Sequence, residues 1–258
     1  MDIVTNWQSS HALPSFSLRG TQVDVWRTPV DLAHHPLVFF RSFLSPDEIT
    51  RADQFKNASA HRQFVVTRCM LRHLLGRYAG VPPIEIQLKK TPQGKPFPVF
   101  PHHVTLQCNV SHTQGMALVA ISGGPAVGID VETVDRTINA EELAQRFFSA
   151  CEAQHLAEVG DDQRAWWFLT YWTCKEAFLK MQGTGLSADL SEYEIEFNPG
   201  GPATRVKSRL SHNSHTPYFL SQLNPGTGFV GAIAVEAASP EITYFDWNPD
   251  ALREHVPF

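Results

Sequence analysis

Cysteine is scarce in this chain of 258 residues. The four present, Cys69, Cys108, Cys151 and Cys174, include no CxxC pair. That spacing excludes a zinc knuckle and a dense disulfide framework, and it points to free thiols. Long apolar runs are missing too: no stretch approaches the ~20 residues a membrane-spanning helix needs. The N-terminus has no basic segment leading into an apolar one, so no secretory signal is expected. Positive charge is not in excess. Lys plus Arg number 21 against 26 Asp plus Glu, a net charge of −5. That balance excludes a broad nucleic-acid surface but leaves room for a local basic pocket. Histidine is plentiful, yet there is no HExxH and no Cys/His cluster. The pairs His34-His35 and His102-His103 stand beside prolines and read as loop residues, which excludes a histidine-built metal site. The expectation is a cytoplasmic protein with neither a membrane nor a nucleic-acid partner.

What is present begins with an internal echo. Ser45-Pro46-Asp47-Glu48 opens a helix: Ser45 caps it, Pro46 suits the first helical position, and Glu48 completes a capping box. Ser149-Ala150-Cys151-Glu152 reads the same way 104 positions later. A longer helix follows each, one over about 61–78 ending near Gly80, the other over about 163–181 ending near Gly183. Residues 115–121 and 228–234 are similar buried strands. Gly123-Gly124-Pro125 is the expected joint. The reading is an α+β chain of two similar halves, 1–122 and 126–258. The tail from about residue 240 has no counterpart in the first half and is assigned to the second.

Five groups could carry chemistry. In Val127-Gly128-Ile129-Asp130-Val131-Glu132 a strand puts Asp130 and Glu132 on one face, ~7 Å apart, where two carboxylates can hold a hard cation or simply be solvated. In Trp172–Lys180 a helix makes Glu176 and Lys180 surface neighbours, a pair that could equally be an exposed ion pair. Asn109-Val110-Ser111-His112-Thr113 reads as a turn presenting a hydroxyl and an imidazole. Lys89-Lys90-Thr91-Pro92-Gln93-Gly94-Lys95-Pro96 reads as a rigid basic turn. Arg62, Arg68 and Arg72 lie on the first long helix, the last two sharing a face.

Order and spacing join these groups. A VGID strand, 41 intervening residues (131–171), and then Trp172-Thr173-Cys174-Lys175-Glu176-Ala177-Phe178-Leu179-Lys180 resemble the surfactin-type 4'-phosphopantetheinyl transferase family. So do Gly94-Lys95-Pro96, Asn109–His112, Arg146-Phe147-Phe148-Ser149 and Gly183-Thr184-Gly185-Leu186-Ser187. The resemblance covers roughly residues 20–235 and rests on agreement across several levels.

It implies two α/β halves about a pseudo-two-fold axis in a monomer, with coenzyme A in the cleft between them. It implies transfer of the phosphopantetheine arm to a serine of an apo acyl or peptidyl carrier protein. By resemblance, Asp130, Glu132 and Glu176 ligate Mg²⁺, for which Mn²⁺ can substitute. Glu176 is the expected base, acting directly or through a water. Lys180 and Lys175 contact phosphate. Lys95, Ser111 and His112 meet the nucleotide end, with Arg62 and Lys90 as further contacts and Arg68 and Arg72 as alternatives tied to acids in the same half. The competing readings are the short trimeric acyl-carrier-protein synthase type, a coenzyme A- or carrier-binding module without catalysis, and a metal-dependent phosphohydrolase.

Overall fold

A computed structural model of the chain describes residues 5–9, 16–32, 34–91, 96–100, 105–135, 137–184, 189–197, 203–208 and 217–255. The first elements are β1 (Trp7–Ser9), β2 (Gln22–Pro29), α1 (Leu37–Arg41), α2 (Pro46–Ala52), α3 (Ala58–Ala79), β3 (Gln87–Lys90), β4 (Pro96–Val99), β5 (Gln107–Thr113) and β6 (Met116–Ser122). They are followed by β7 (Val127–Thr133), α4 (Ala140–Phe147), α5 (Ala150–Glu158), α6 (Asp161–Gln182), β8 (Tyr193–Phe197), β9 (Ala203–Ser208), β10 (Phe219–Leu223), β11 (Phe229–Val235) and β12 (Glu241–Asp246).

The repeated pattern folds as a repeated unit. Both capping boxes form, at Ser45 with Glu48 and at Ser149 with Glu152. Each is followed by a 22-residue helix, α3 or α6, closed by a left-handed glycine: Gly80 at φ 67° and Gly183 at φ 73°. Glycine is needed there because a Cβ disfavours that conformation. One sheet runs β1-β12-β2-β6-β5 and the other β7-β11-β10-β9-β8, while β3 and β4 form a separate hairpin. The antiparallel triplets β2-β6-β5 and β7-β11-β10 occupy matching places in chain order.

Three apolar cores hold the layers. The first packs α1–α3 on the first sheet around Trp26, Phe40, Met70 and Leu74. The second packs α4–α6 on the other sheet. The third lies between the sheets, where Val23, Val25, Leu118 and Ala120 meet Val127, Ile129, Val131, Ile233 and Val235. Burying branched side chains from both sheets makes this a cohesive interface.

Two expectations are corrected. The tail from about residue 240 does not belong to the second half: β12 enters the first sheet, parallel to both β1 and β2. Its apolar residues find their partners there. Phe245 stacks on Trp26 at 4.6 Å, and the Trp247 indole donates to His73 Nδ1 at 3.0 Å. Residues 109–113 are not a turn but most of β5, and the turn follows at Gln114-Gly115. Gly115 takes φ 93°, which lets β5 double back onto β6.

Candidate active site

Gly128 decides how closely α6 approaches β7. A Cβ at that position would stand 2.0 Å from the Ala177 carbonyl oxygen and 2.4 Å from the Met181 nitrogen. The bare backbone therefore lets the helix lie directly on the strand. The helix residues flanking the contact bring Glu176 and Lys180 to the strand face that carries Asp130 and Glu132. Protein covers that face at Asp130, 5% exposed, and at Glu176, 8% exposed, while Glu132 is half-buried.

Asp130 Oδ1 accepts from Lys180 Nζ at 2.6 Å and from Ser111 Oγ at 2.7 Å. Lys180 also donates to the Ile129 carbonyl at 3.2 Å. Asp130 Oδ2 and Glu176 Oε1 are buried and find no hydrogen-bond partner among the described residues. The Glu176 pKa is raised, first by burial and next by the Asp130 charge, with Lys180 offsetting part and Glu132 adding to it. Among the described residues, no three His, Cys, Asp or Glu side chains are drawn together tightly enough to hold a metal ion as they stand. The donor chemistry nevertheless suits a hard cation, because two buried carboxylate oxygens lack hydrogen-bond partners among the described residues.

His112 lies one residue beyond Ser111 and points to the other side of β5. It lines a groove of about 150 Å³ with Phe64, Thr67, Arg68, Leu71 and Val110. The residue is exposed overall, while the groove residues crowd its ring. Burial, then the charges of Lys180 and Arg68, hold its pKa below the ordinary histidine value. A lowered pKa favours the neutral imidazole, which can donate one hydrogen bond and accept another.

Other expected contacts are placed elsewhere. Lys175 does not face the acids: it is 1% exposed and pairs with Glu152 at 2.7 Å. Its ammonium also donates to the carbonyls of Leu190 and Tyr193. Full burial beside a carboxylate and two carbonyls makes it an internal strut, not a phosphate contact. Arg62 is likewise engaged locally, donating to the carbonyls of Val30, Leu32 and His35 in the loop after β2. Arg68 and Arg72 pair with Glu48 at 3.6 Å and 2.5 Å, the alternative foreseen for them. The backbone of Lys90 is in register with that of Pro96 in the β3–β4 hairpin. Lys95 lies outside the described residues, as do 185–187 of the glycine-containing stretch after α6.

Sequence reasoning gave Gly128 and Thr113 no role of their own and read Glu152 only as a helix cap, not as the partner of Lys175. The signals were present: a glycine inside an apolar strand marks a close approach, and Asn-x-Ser-x-Thr is a period-two pattern.

Comparison with known proteins adds the following. A family profile described as 4'-phosphopantetheinyl transferase superfamily matches residues 126–234. One described as 4'-phosphopantetheinyl transferase, N-terminal, matches residues 31–123. The chain is 35% identical to the 4'-phosphopantetheinyl transferase HetI of Nostoc sp., over 92% of this chain and 94% of that protein. It is 27% identical to the 4'-phosphopantetheinyl transferase Sfp of Bacillus subtilis, over 78% and 85% respectively. It is 29% identical to the 4'-phosphopantetheinyl transferase psf-1 of Bacillus pumilus, over 64% and 68%.

Proposed function

Because this chain belongs to the 4'-phosphopantetheinyl transferase superfamily, we propose that Asp130, Glu132 and Glu176 hold Mg²⁺, or Mn²⁺ in its place, at the centre of its active site. The enzyme transfers the 4'-phosphopantetheine moiety of coenzyme A to a serine of an apo acyl or peptidyl carrier protein and releases 3',5'-ADP. The observation that supports the metal reading is the pair of buried carboxylate oxygens without partners, Asp130 Oδ2 and Glu176 Oε1. A bound cation would satisfy both and neutralise charge on the pyrophosphate during transfer.

The chain's own residues supply the rest. In the reaction the serine oxygen bonds to the phosphorus bearing pantetheine, and the bond from that phosphorus to the bridging oxygen breaks. The serine proton passes to a base. Glu176 is the proposed acceptor, reached directly or through a water; its raised pKa belongs to the metal-free chain, and a bound cation would lower it. Lys180 is a fixed positive charge 2.6 Å from Asp130 and acts on the phosphate oxygens as charge builds in the transition state. His112, Lys95 and the backbone at Ser111 meet the nucleotide end, with Lys90 nearby in sequence. The Ser111 hydroxyl proton is already given to Asp130. One chain carries both sheets, so the proposed working form is a monomer, and its proposed place is the cytoplasm.

The test is to incubate the protein with coenzyme A, Mg²⁺ and an apo-carrier. A carrier that gains the phosphopantetheine mass only when divalent cation is present supports the reading. Equal transfer after exhaustive chelation would remove the metal from it.

A further inference from the structure

β5 and β7 are neighbouring edge strands of different sheets. A buried edge leaves backbone N–H groups that must find partners. Here side chains provide them. Asn109 Oδ1 accepts from the Ile129 N–H at 2.9 Å, Ser111 Oγ from the Val131 N–H at 3.3 Å, and Thr113 Oγ1 from the Thr133 N–H at 3.3 Å. The three rungs fall at every second residue of both strands, so one face of β5 is hydrogen-bonded along the edge of β7. The donor positions Ile129, Val131 and Thr133 alternate with Asp130 and Glu132, so their side chains turn to the other face of β7.

The rungs differ in what they do next. A hydroxyl that accepts from an N–H still has one proton to give. Ser111 gives it to Asp130 Oδ1 at 2.7 Å, and Thr113 gives it to Glu132 Oε2 at 3.2 Å. The amide rung, Asn109, stands opposite the position of Gly128, where there is no carboxylate and α6 crosses instead. Hydroxyl rungs thus coincide with the acids, and the amide rung coincides with the glycine.

We infer that Asn109, Ser111 and Thr113 form a side-chain ladder that splices the two sheets and orients the carboxylates of β7, with Thr113 the positioning residue for Glu132. This rests on the proposed metal site. Each hydroxyl is clamped by a backbone N–H on one side and directs its proton to the acid on the other, so the rotamer of the acid is set by the neighbouring half of the molecule. Outer partners of this kind hold ligating carboxylates in place and tune metal affinity. Thr113 is 8% exposed and its bond to Glu132 is part-buried, so bulk water reaches the pair only from one side.

The experiment is a Mn²⁺ titration of the full chain without coenzyme A or carrier, with free Mn²⁺ read by electron paramagnetic resonance. Thr113→Val keeps the shape and removes the hydroxyl. It should weaken Mn²⁺ binding about tenfold, and Thr113→Ser should restore most of it. Amide exchange at Thr133, read without metal, should quicken in Thr113→Val and not in Thr113→Ser. Glu132→Gln is the control for the metal site itself. If Glu132→Gln weakens Mn²⁺ binding while Thr113→Val binds like wild type, the positioning role is wrong and the metal site stands. If Thr113→Ser is as weak as Thr113→Val, shape and not the hydroxyl matters, and the inference fails. If Glu132→Gln leaves Mn²⁺ binding unchanged, Glu132 is no ligand and both readings fall.

Discussion

The Lys180 ammonium lies 2.6 Å from Asp130 Oδ1 and ties the last turn of α6 to the middle of β7. It places a positive charge beside the carboxylates where a cation is proposed. Lys180→Ala is expected to lower kcat about 10²–10³-fold, as for loss of a fixed charge that stabilises a transition state. The same change removes repulsion, so Mn²⁺ should bind at least as tightly as to wild type. Parallel kinetics and Mn²⁺ titration check both; weaker Mn²⁺ binding would make Lys180 a support for the site instead.

Glu176 should trade stability for activity. Its carboxylate is buried, one oxygen lacks a partner, and its pKa is raised. A carboxyl group with a raised folded-state pKa destabilises the fold once pH exceeds its unfolded value. Without divalent cation at neutral pH, Glu176→Gln should therefore melt at or above the wild-type temperature while losing transfer. Asp130→Ala should also lose transfer and keep its fold. Near-normal turnover of either variant with saturating Mg²⁺ would contradict the metal assignment.

Lys95 and His112 are expected to act on coenzyme A through its 3'-phosphate. Losing a charge-assisted contact of roughly 1.5–3 kcal/mol raises KM about 10- to 150-fold and leaves kcat nearly unchanged when ground and transition states use it equally. Dephospho-coenzyme A lacks that phosphate. Wild type should discriminate against it strongly and Lys95→Ala much less. The same preference in both proteins would mean that Lys95 does not touch the 3'-phosphate.

The buried Lys175–Glu152 pair gives a contrasting outcome. Glu152 also accepts from the Ser149 N–H and the Ile195 N–H, so it caps α5 and holds β8 while pairing with the lysine. Lys175→Met leaves that carboxylate without its counter-charge, a change that costs about 3–5 kcal/mol in buried pairs. The melting temperature should fall by many degrees, while KM for coenzyme A in the folded fraction stays close to wild type. A raised KM with unchanged stability would return Lys175 to phosphate binding.

Asp24 should make stability depend on pH. It accepts from the Tyr78 hydroxyl at 2.5 Å, and Tyr78 in turn accepts from the Trp26 indole at 3.1 Å. Burial raises the Asp24 pKa from 3.8 to about 6, with the Tyr78 hydrogen bond offsetting part. Between those values the unfolded chain has lost the proton that the folded chain keeps, so stability declines as pH rises through this window and levels above it. The gap corresponds to about 2–3 kcal/mol. Asp24→Asn should flatten this part of the profile, matching wild type near the acid end and exceeding it at neutral pH. Urea midpoints across that range measure it; parallel profiles would dismiss the Asp24 contribution.

Much of this protein is determined locally and can be read from the chain. The Ser45 and Ser149 capping boxes, the glycines closing α3 and α6, and the apolar strands β6, β7 and β11 depend on residues within a turn or two of one another. The spacing of Asp130, Glu176 and Lys180 is equally a property of the sequence. Tertiary structure alone decided which charges belong to the site. Lys175 and Lys180 share a helix, but five residues turn it by about 140°. One lysine therefore enters the core beside Glu152 and the other meets Asp130. The polar strand β5 showed only its period-two pattern; its role was not legible, because its polar side chains serve the edge of another sheet, a partner 20 residues away. β12 was misplaced because its pairing with β2 spans more than 200 residues, and no local pattern reports which sheet a strand will join.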